Sequence, residues 1–246
     1  MKLIVLGSTG YHPNDLRQTA CVMLPEIGVV LDAGTGMYRV GPLLCTPELH
    51  IFLSHAHLDH IFGLTFLFDV LGRDSGRRAI VHGEADKLAA VQQHLLSPLL
   101  FPVPLPCQYQ DLDGPVELAD GGRLTYFSLE HPGGVVGFRL DWPDRSLAYV
   151  TDTVARPDAP YIDAIRGVDV LLHECYFPDS EQAMAELTGH SHTSAVAQLA
   201  LSAGVKRLYL LHLYPASATP DPIGLDVARR IFPTAELCHD NMEIEF

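Results

Sequence analysis

Apolar and polar positions along this chain change places in short blocks, and each block has its own period. Residues 2–6, 29–31, 49–53 and 79–81 are brief β-branched or apolar runs closed by Gly, Pro or charged residues, which is the pattern of buried strands. Residues 85–96, 159–166, 193–203 and 225–231 space their apolar positions three or four apart and predict helices. The middle of the chain, 116–150, reads as all-β. There the runs 123–129, 135–140 and 147–150 predict a meander of antiparallel strands. A chain of this length that is rich in strands and flanked by helices is best accommodated as two sheets with helices outside them, an α/β architecture. The Pro-rich segments 97–106 and 215–222 predict surface loops, because proline lacks the backbone donor that regular pairing needs. Neither has the composition of a flexible linker, and no internal repeat interrupts the pattern. Residues 1–246 are therefore expected to form a single domain.

Charge and cysteine usage narrow the function classes. Sixteen Lys and Arg stand against thirty Asp and Glu, a formal net charge of −14. Such a field repels a polyanion, whereas general nucleic-acid binding draws affinity from cationic contacts to phosphates. A small-molecule substrate is expected, and long nucleic acid is disfavoured. The five cysteines, at 21, 45, 107, 175 and 238, are scattered and show no paired spacing, as expected of small buried hydrophobes in a reducing compartment. The apolar opening run ends at once in Gly7 and Ser8 without a cleavage pattern, so it reads as a strand rather than a signal peptide. No apolar stretch reaches the length of a membrane span. A cytoplasmic protein with no membrane contact is the expectation.

The strongest chemical signal is Ser54-His55-Ala56-His57-Leu58-Asp59-His60, directly after the strand-like run at 49–53. Its four metal-capable side chains, His55, His57, Asp59 and His60, lie within six residues at a strand end. Imidazole nitrogens with a carboxylate oxygen are a ligand set that zinc accepts, with manganese or iron as alternatives.

This segment resembles the metal loop of the metallo-β-lactamase superfamily, and the resemblance spans most of the chain. It begins at Val30-Leu31-Asp32-Ala33-Gly34-Thr35-Gly36, similar to the family's strand-and-turn element before the metal loop. It implies a four-layer αββα sandwich. It also implies further ligands: His131 in Glu130-His131-Pro132-Gly133-Gly134, Asp152 in Val150-Thr151-Asp152-Thr153, and His212 in Leu210-Leu211-His212-Leu213. By resemblance, His55, His57 and His131 hold one ion and Asp59, His60 and His212 the other, with Asp152 shared and a bridging hydroxide as the nucleophile. Two divalent metal ions with open coordination positions mark a catalytic rather than a structural site. Asp32 is expected to orient a metal-bound histidine, since such imidazoles usually donate their second N–H to a carboxylate.

Gly189-His190-Ser191-His192-Thr193 resembles the histidine–serine–threonine element of ribonuclease Z and related phosphodiesterases. The likeness places His190 on the histidine thought to contact phosphate or protonate the leaving oxygen, with His192 as an additional candidate. Asp59, His190 and His192 are thus the expected catalytic residues. The implied reaction is hydrolysis of a small phosphodiester or cyclic phosphate; the alternative is an ester, lactone or thioester at the same centre. A metal-binding module without turnover is disfavoured, because every expected ligand is present. Ribonuclease Z carries a long basic arm between the third histidine and the shared aspartate. Here His131 and Asp152 are twenty-one positions apart, which argues against transfer RNA maturation. The resemblance further implies a homodimer. Glu174 and Asp240 are candidates for supporting roles. His50 and His82 read as core or edge histidines, and Phe62, Phe66 and Phe68 as helix or pocket lining.

Overall fold

The computed structural model describes residues 1–246 apart from 73, 74 and 218, and the chain divides into two compact units. The first comprises Met1–Gly114 and Asp240–Glu245, the second Pro115–His239 with the terminal Phe246.

The first unit is built on a seven-stranded sheet of order β14-β1-β2-β3-β4-β5-β6. Its strands are β1 (Lys2–Gly7), β2 (Cys21–Leu24), β3 (Val29–Leu31), β4 (Glu48–Phe52), β5 (Arg78–Gly83), β6 (Cys107–Asp111) and β14 (Met242–Glu245). Pairing is antiparallel from β14 through β3 and parallel from β3 through β6. The helices α1 (Leu58–Ile61), α2 (Leu67–Leu71) and α3 (Ala85–Ala90) bury Ile61, Leu67, Val70 and Leu88 against Ile4, Met23, Val30, Ile51 and Val81. The alternate positions Leu3, Val5, Val22, Leu31 and Phe52 are buried as well, which is why these strands read as continuous apolar runs.

The second unit repeats the pairing scheme in the order β7-β8-β9-β10-β11-β12-β13. Its strands are β7 (Val116–Glu117), β8 (Arg123–Leu129), β9 (Val135–Asp141), β10 (Ser146–Val150), β11 (Val170–Glu174), β12 (Arg207–Leu211) and β13 (Glu236–Leu237). Three antiparallel pairings again give way to three parallel ones. The helices are α4 (Ile162–Ile165), α5 (Gln182–Thr188), α6 (Thr193–Ala203) and α7 (Leu225–Ile231). Val196, Leu199 and Ala200 of α6 pack with Ala148, Leu171, Leu208 and Leu210 in one core.

The expected α/β class holds, and α6, α7 and the 123–150 meander lie where periodicity puts them. The helix expected at 159–166 is shorter. Pro160 supplies no amide hydrogen and disfavours helix at the residue before it, so only Ile162–Ile165 is helical. The helix expected at 85–96 leaves the α-helical path after Ala90 and continues to Leu95 as a wider turn. The short strands β2, β6, β13 and β14 escaped the pattern; β6 reads Cys-Gln-Tyr-Gln-Asp, and its apolar alternation is too brief to register. The segment 97–106 is a loop as expected; of 215–222, residue 218 lies outside the described residues.

Candidate residues cluster where each sheet is parallel, after the carboxyl ends of its strands, a recurrent place for ligand sites in α/β sheets. Asp32 follows β3, the 54–60 segment follows β4, Asp152 follows β10 and His212 follows β12. Asp32, Asp152 and His212 all have positive φ, at 58°, 28° and 56°. A left-handed residue there ends the strand's two-residue alternation at a cost in backbone strain, a feature that gathers at functional sites.

Candidate metal centre

The metal-capable residues form two clusters, one in each unit. In the first, the buried carboxylate of Asp32 is the hub. It accepts the Ser54 amide at 2.7 Å, the Ser54 hydroxyl at 2.8 Å and His60 Nδ1–H at 2.8 Å. Ser54 Oγ in turn lies 2.9 Å from His55 Nδ1. Because the hydroxyl hydrogen goes to Asp32, His55 Nδ1 is the donor in that contact. Both imidazoles therefore keep the lone pair on Nε2, the form that binds a cation. The His55 ring lies 4.2 Å from His60 and 4.4 Å from His57, centroid to centroid. His60 Nε2 is 3.3 Å from Asp59 Oδ2, which also accepts the Tyr11 amide at 2.7 Å. His55 and His60 are buried, while His57, just before α1, is exposed. Gly34 makes this packing possible: a Cβ there would stand 2.3 Å from the Asp59 carbonyl oxygen.

In the second unit His131, between β8 and β9, donates Nδ1–H to the Gly189 carbonyl at 2.8 Å and places Nε2 at 3.6 Å from Asp152 Oδ2. Burial holds His131 below the usual imidazole value despite Asp152 beside it, favouring the neutral ligand form. Gly189 ends α5 in the left-handed region at φ 77°, and a Cβ on it would press within 3.0 Å of His131 Nδ1. Asp152 Oδ1 lies 3.1 Å from His212 Nε2 and accepts the Thr151 hydroxyl at 2.7 Å.

Glu174, fully buried at the end of β11, accepts four hydrogen bonds. Its Oε1 takes Thr153 N at 3.0 Å, Ser191 N at 3.1 Å and His190 Nδ1 at 3.2 Å, and its Oε2 takes Tyr176 N at 3.1 Å. The His190 ring stacks on Tyr176 at 4.4 Å and an interplanar angle of 13°. Ligand-capable atoms of Asp152, His190 and His212 fall within 4.8 Å of one another. His192 is engaged elsewhere: its Nδ1 lies 2.9 Å from Asp179 Oδ1, which also accepts the Ser194 amide at 2.8 Å at the start of α6.

The structure thus gathers His55, His57, Asp59 and His60 in the first unit and His131, Asp152, His190 and His212 in the second. It sets His192 on a separate carboxylate. Ser54, the Gly189 carbonyl and Tyr176 orient these side chains, yet none stands out in the sequence; a hydroxyl directly before the first metal-loop histidine was the one available hint. Among the described residues no helix is long and apolar enough to cross a membrane.

Comparison with known proteins identifies the family. The family model for the beta-lactamase superfamily domain matches residues 28–213, a stretch that contains all seven expected ligands. A ribonuclease Z from Nostoc sp. is 38% identical, with 100% of this chain and 95% of that protein covered. A ribonuclease Z from Bacteroides thetaiotaomicron is 29% identical, with 90% and 87% covered. Among solved structures, the metallo-beta-lactamase fold protein YhfI from Bacillus subtilis superposes with a TM-score of 0.81 at 19% identity, covering 100% of this chain and 99% of that one.

These relatives correct the expected partner. A small-molecule substrate, with long nucleic acid disfavoured, was the expectation from charge and from the missing arm; matches across nearly the whole chain to proteins named for cleaving RNA overturn it. Net charge misled for a physical reason. The value of −14 is summed over the whole chain, whereas a phosphodiester meets the local field, which bound cations dominate. Nor does the missing arm break the likeness, since the 246 residues align over 310 positions with the Nostoc protein, which carries additional residues of its own. This chain belongs to the beta-lactamase superfamily and is a metal-dependent hydrolase.

Proposed function

We propose that the chain hydrolyses phosphodiester bonds of RNA at a centre of two divalent cations, zinc by ligand chemistry. His55, His57 and His131 would hold one ion, Asp59, His60 and His212 the other, with Asp152 shared. On this reading both units form one catalytic domain. The donor set fits such ions, because Ser54, Asp32 and Gly189 occupy Nδ1 of His55, His60 and His131 and leave Nε2 to coordinate. When bound, the cations supply Lewis acidity, which draws charge from the phosphoryl oxygens and acidifies a coordinated water.

The observation that carries the reading is His190, held by Glu174 beside Asp152 and His212. With Nδ1–H bound to the buried carboxylate, a protonated His190 has one other N–H to give, at Nε2. That proton passes to the leaving oxygen as the P–O bond breaks, and Glu174 retains the neutral imidazole through Nδ1–H. Tyr176 holds the ring against rotation by stacking on it. His192, paired with Asp179, has no part in this step. A cytoplasmic site of action accompanies the proposal, supported by five cysteines that are all free thiols.

The test compares zinc-loaded protein on an RNA oligonucleotide and a chromogenic phosphodiester with the same preparation on lactone and thioester panels. Phosphodiester turnover is expected, falling about a hundredfold or more in His190→Ala with metal content unchanged. Turnover confined to lactones or thioesters would overturn it.

A further inference from the structure

The first unit has a cavity of about 270 Å3 with Asp59 at its wall, lined otherwise by Tyr11, Pro13, Leu58, Phe62 and the threonines Thr19 and Thr35. Its chemistry is unusual for a site at a phosphate-cleaving centre, because no Lys or Arg lines it. The two threonines are bound to each other: Thr35 N donates to Thr19 Oγ1 at 2.7 Å and Thr19 N to Thr35 Oγ1 at 2.9 Å. The Asp59 carboxylate accepts the Tyr11 amide. What remains for an occupant is an apolar slot with two aromatic rings.

Those rings are held out in solvent. Tyr11 is 72% exposed, Leu58 66% and Phe62 44%, a concentration of apolar surface that water penalises unless something covers it. Tyr11 also has φ 60°, a left-handed conformation rare for a bulky side chain. The segment that carries it is fixed at both ends. Asp240 accepts Ser8 N, Ser8 Oγ, Gln18 N and Arg39 Nη1, at 3.1, 2.8, 2.8 and 2.5 Å, and Asn14 Oδ1 accepts the amides of Leu16 and Arg17, both at 2.9 Å. His12 meets the Tyr11 ring edge-on at 5.1 Å, and Phe66 supports Phe62 likewise at 5.7 Å. The strained residue thus turns its amide to Asp59 while its ring stays in solvent on a braced loop.

We infer that this slot binds the nucleobase of a nucleotide flanking the scissile phosphate, stacked against Tyr11 and Phe62. The inference rests on the phosphodiester reading above for its substrate class. A planar uncharged ring matches walls that offer π-faces and no cation, and Asp59 places the slot beside a proposed ligand of the centre. Stacking of this kind tolerates any base, since every base has a π-face.

Two measurements on zinc-loaded protein test it. Binding of adenosine monophosphate and of ribose 5-phosphate is followed by calorimetry in wild type, Tyr11→Asn and Phe62→Ala; asparagine tolerates the left-handed backbone and removes the ring. Each variant should weaken adenosine monophosphate binding about tenfold and leave ribose 5-phosphate unaffected. Cleavage of an RNA oligonucleotide and of its counterpart with an abasic residue beside the cleaved bond is measured in parallel. A higher KM on the abasic substrate is expected in wild type, with the difference lost in the variants. Equal binding of the two monophosphates by wild type, or variants that bind adenosine monophosphate normally, would overturn the base slot. Ring-dependent binding of adenosine monophosphate without RNA cleavage would leave the slot standing and sink the phosphodiester reading instead.

Discussion

At the scale of single residues, the site depends on which nitrogen of each imidazole is occupied. Asp32 decides this for His60 directly and for His55 through Ser54. Asp32→Ala should therefore lower metal affinity roughly 10–100-fold, read by competition with a chromogenic chelator, although Asp32 is proposed to ligate nothing itself. Glu174 plays the corresponding part for His190. Its buried carboxylate accepts Nδ1–H and fixes the orientation of the ring. On the proposal that His190 gives its proton to the leaving oxygen, Glu174→Gln should lower kcat on an RNA oligonucleotide about tenfold or more, with KM and zinc stoichiometry unchanged; an unchanged kcat would show that Glu174 has no part in that step. Histidine and carboxylate identities at 55, 57, 59 and 60 were legible in the sequence, because their spacing is dense and chemically specific. The choice between His190 and His192 was not legible. Both are histidines in one short segment, and only the positions of Glu174 and Asp179 separate them.

At the scale of elements, parallel pairing of β4 with β5 sets His82 against Phe52 and His50. The His82 ring stacks on Phe52 at 4.3 Å and its Nε2 meets His50 Nδ1 at 3.0 Å. Burial, with a smaller contribution from His50, lowers its pKa to about 4 from 6.5. The folded value lies below the unfolded one, so the neutral form is the one that folding favours. This stabilisation is complete above pH 6.5 and drains away as the pH falls towards 4, because the unfolded chain takes up the proton first. His82→Phe keeps the stack and removes the titration. Between pH 7.5 and pH 5, urea unfolding should show the wild type losing about 2 kcal/mol more than this variant, and parallel losses would refute the assignment. Packing of the metal loop gives a second expectation. Gly34→Ala puts a methyl group against the Asp59 carbonyl and should cost about 1–3 kcal/mol by the same assay. Long, strongly periodic elements such as α6 were legible from spacing alone, whereas the four-residue β14, Met242–Glu245, was not, since strand pairing rather than local preference defines it.

At the scale of the whole molecule, an acidic chain with few cations has little sequence-independent attraction for a polyanion. RNA binding should therefore depend on the loaded metals: chelation should abolish it and zinc restore it in a filter-binding assay, while moderate salt should weaken it only slightly. A steep salt dependence that survives chelation would point to a basic surface instead. The sequence by itself determined the chemistry on offer and the fold class. Ligand types are side-chain properties, and buried strands and helices leave their periods in the order of residues. The repeated sheet plan left no trace there, because pairing order is a relation between segments rather than a property of any one. Tertiary structure alone decided which nitrogens face the ligand side and which carboxylate each of His190 and His192 meets. Asp32 and His60 are 28 residues apart, His131 and Gly189 are 58 apart, and such hydrogen bonds exist only once the sheets have brought distant strand ends together.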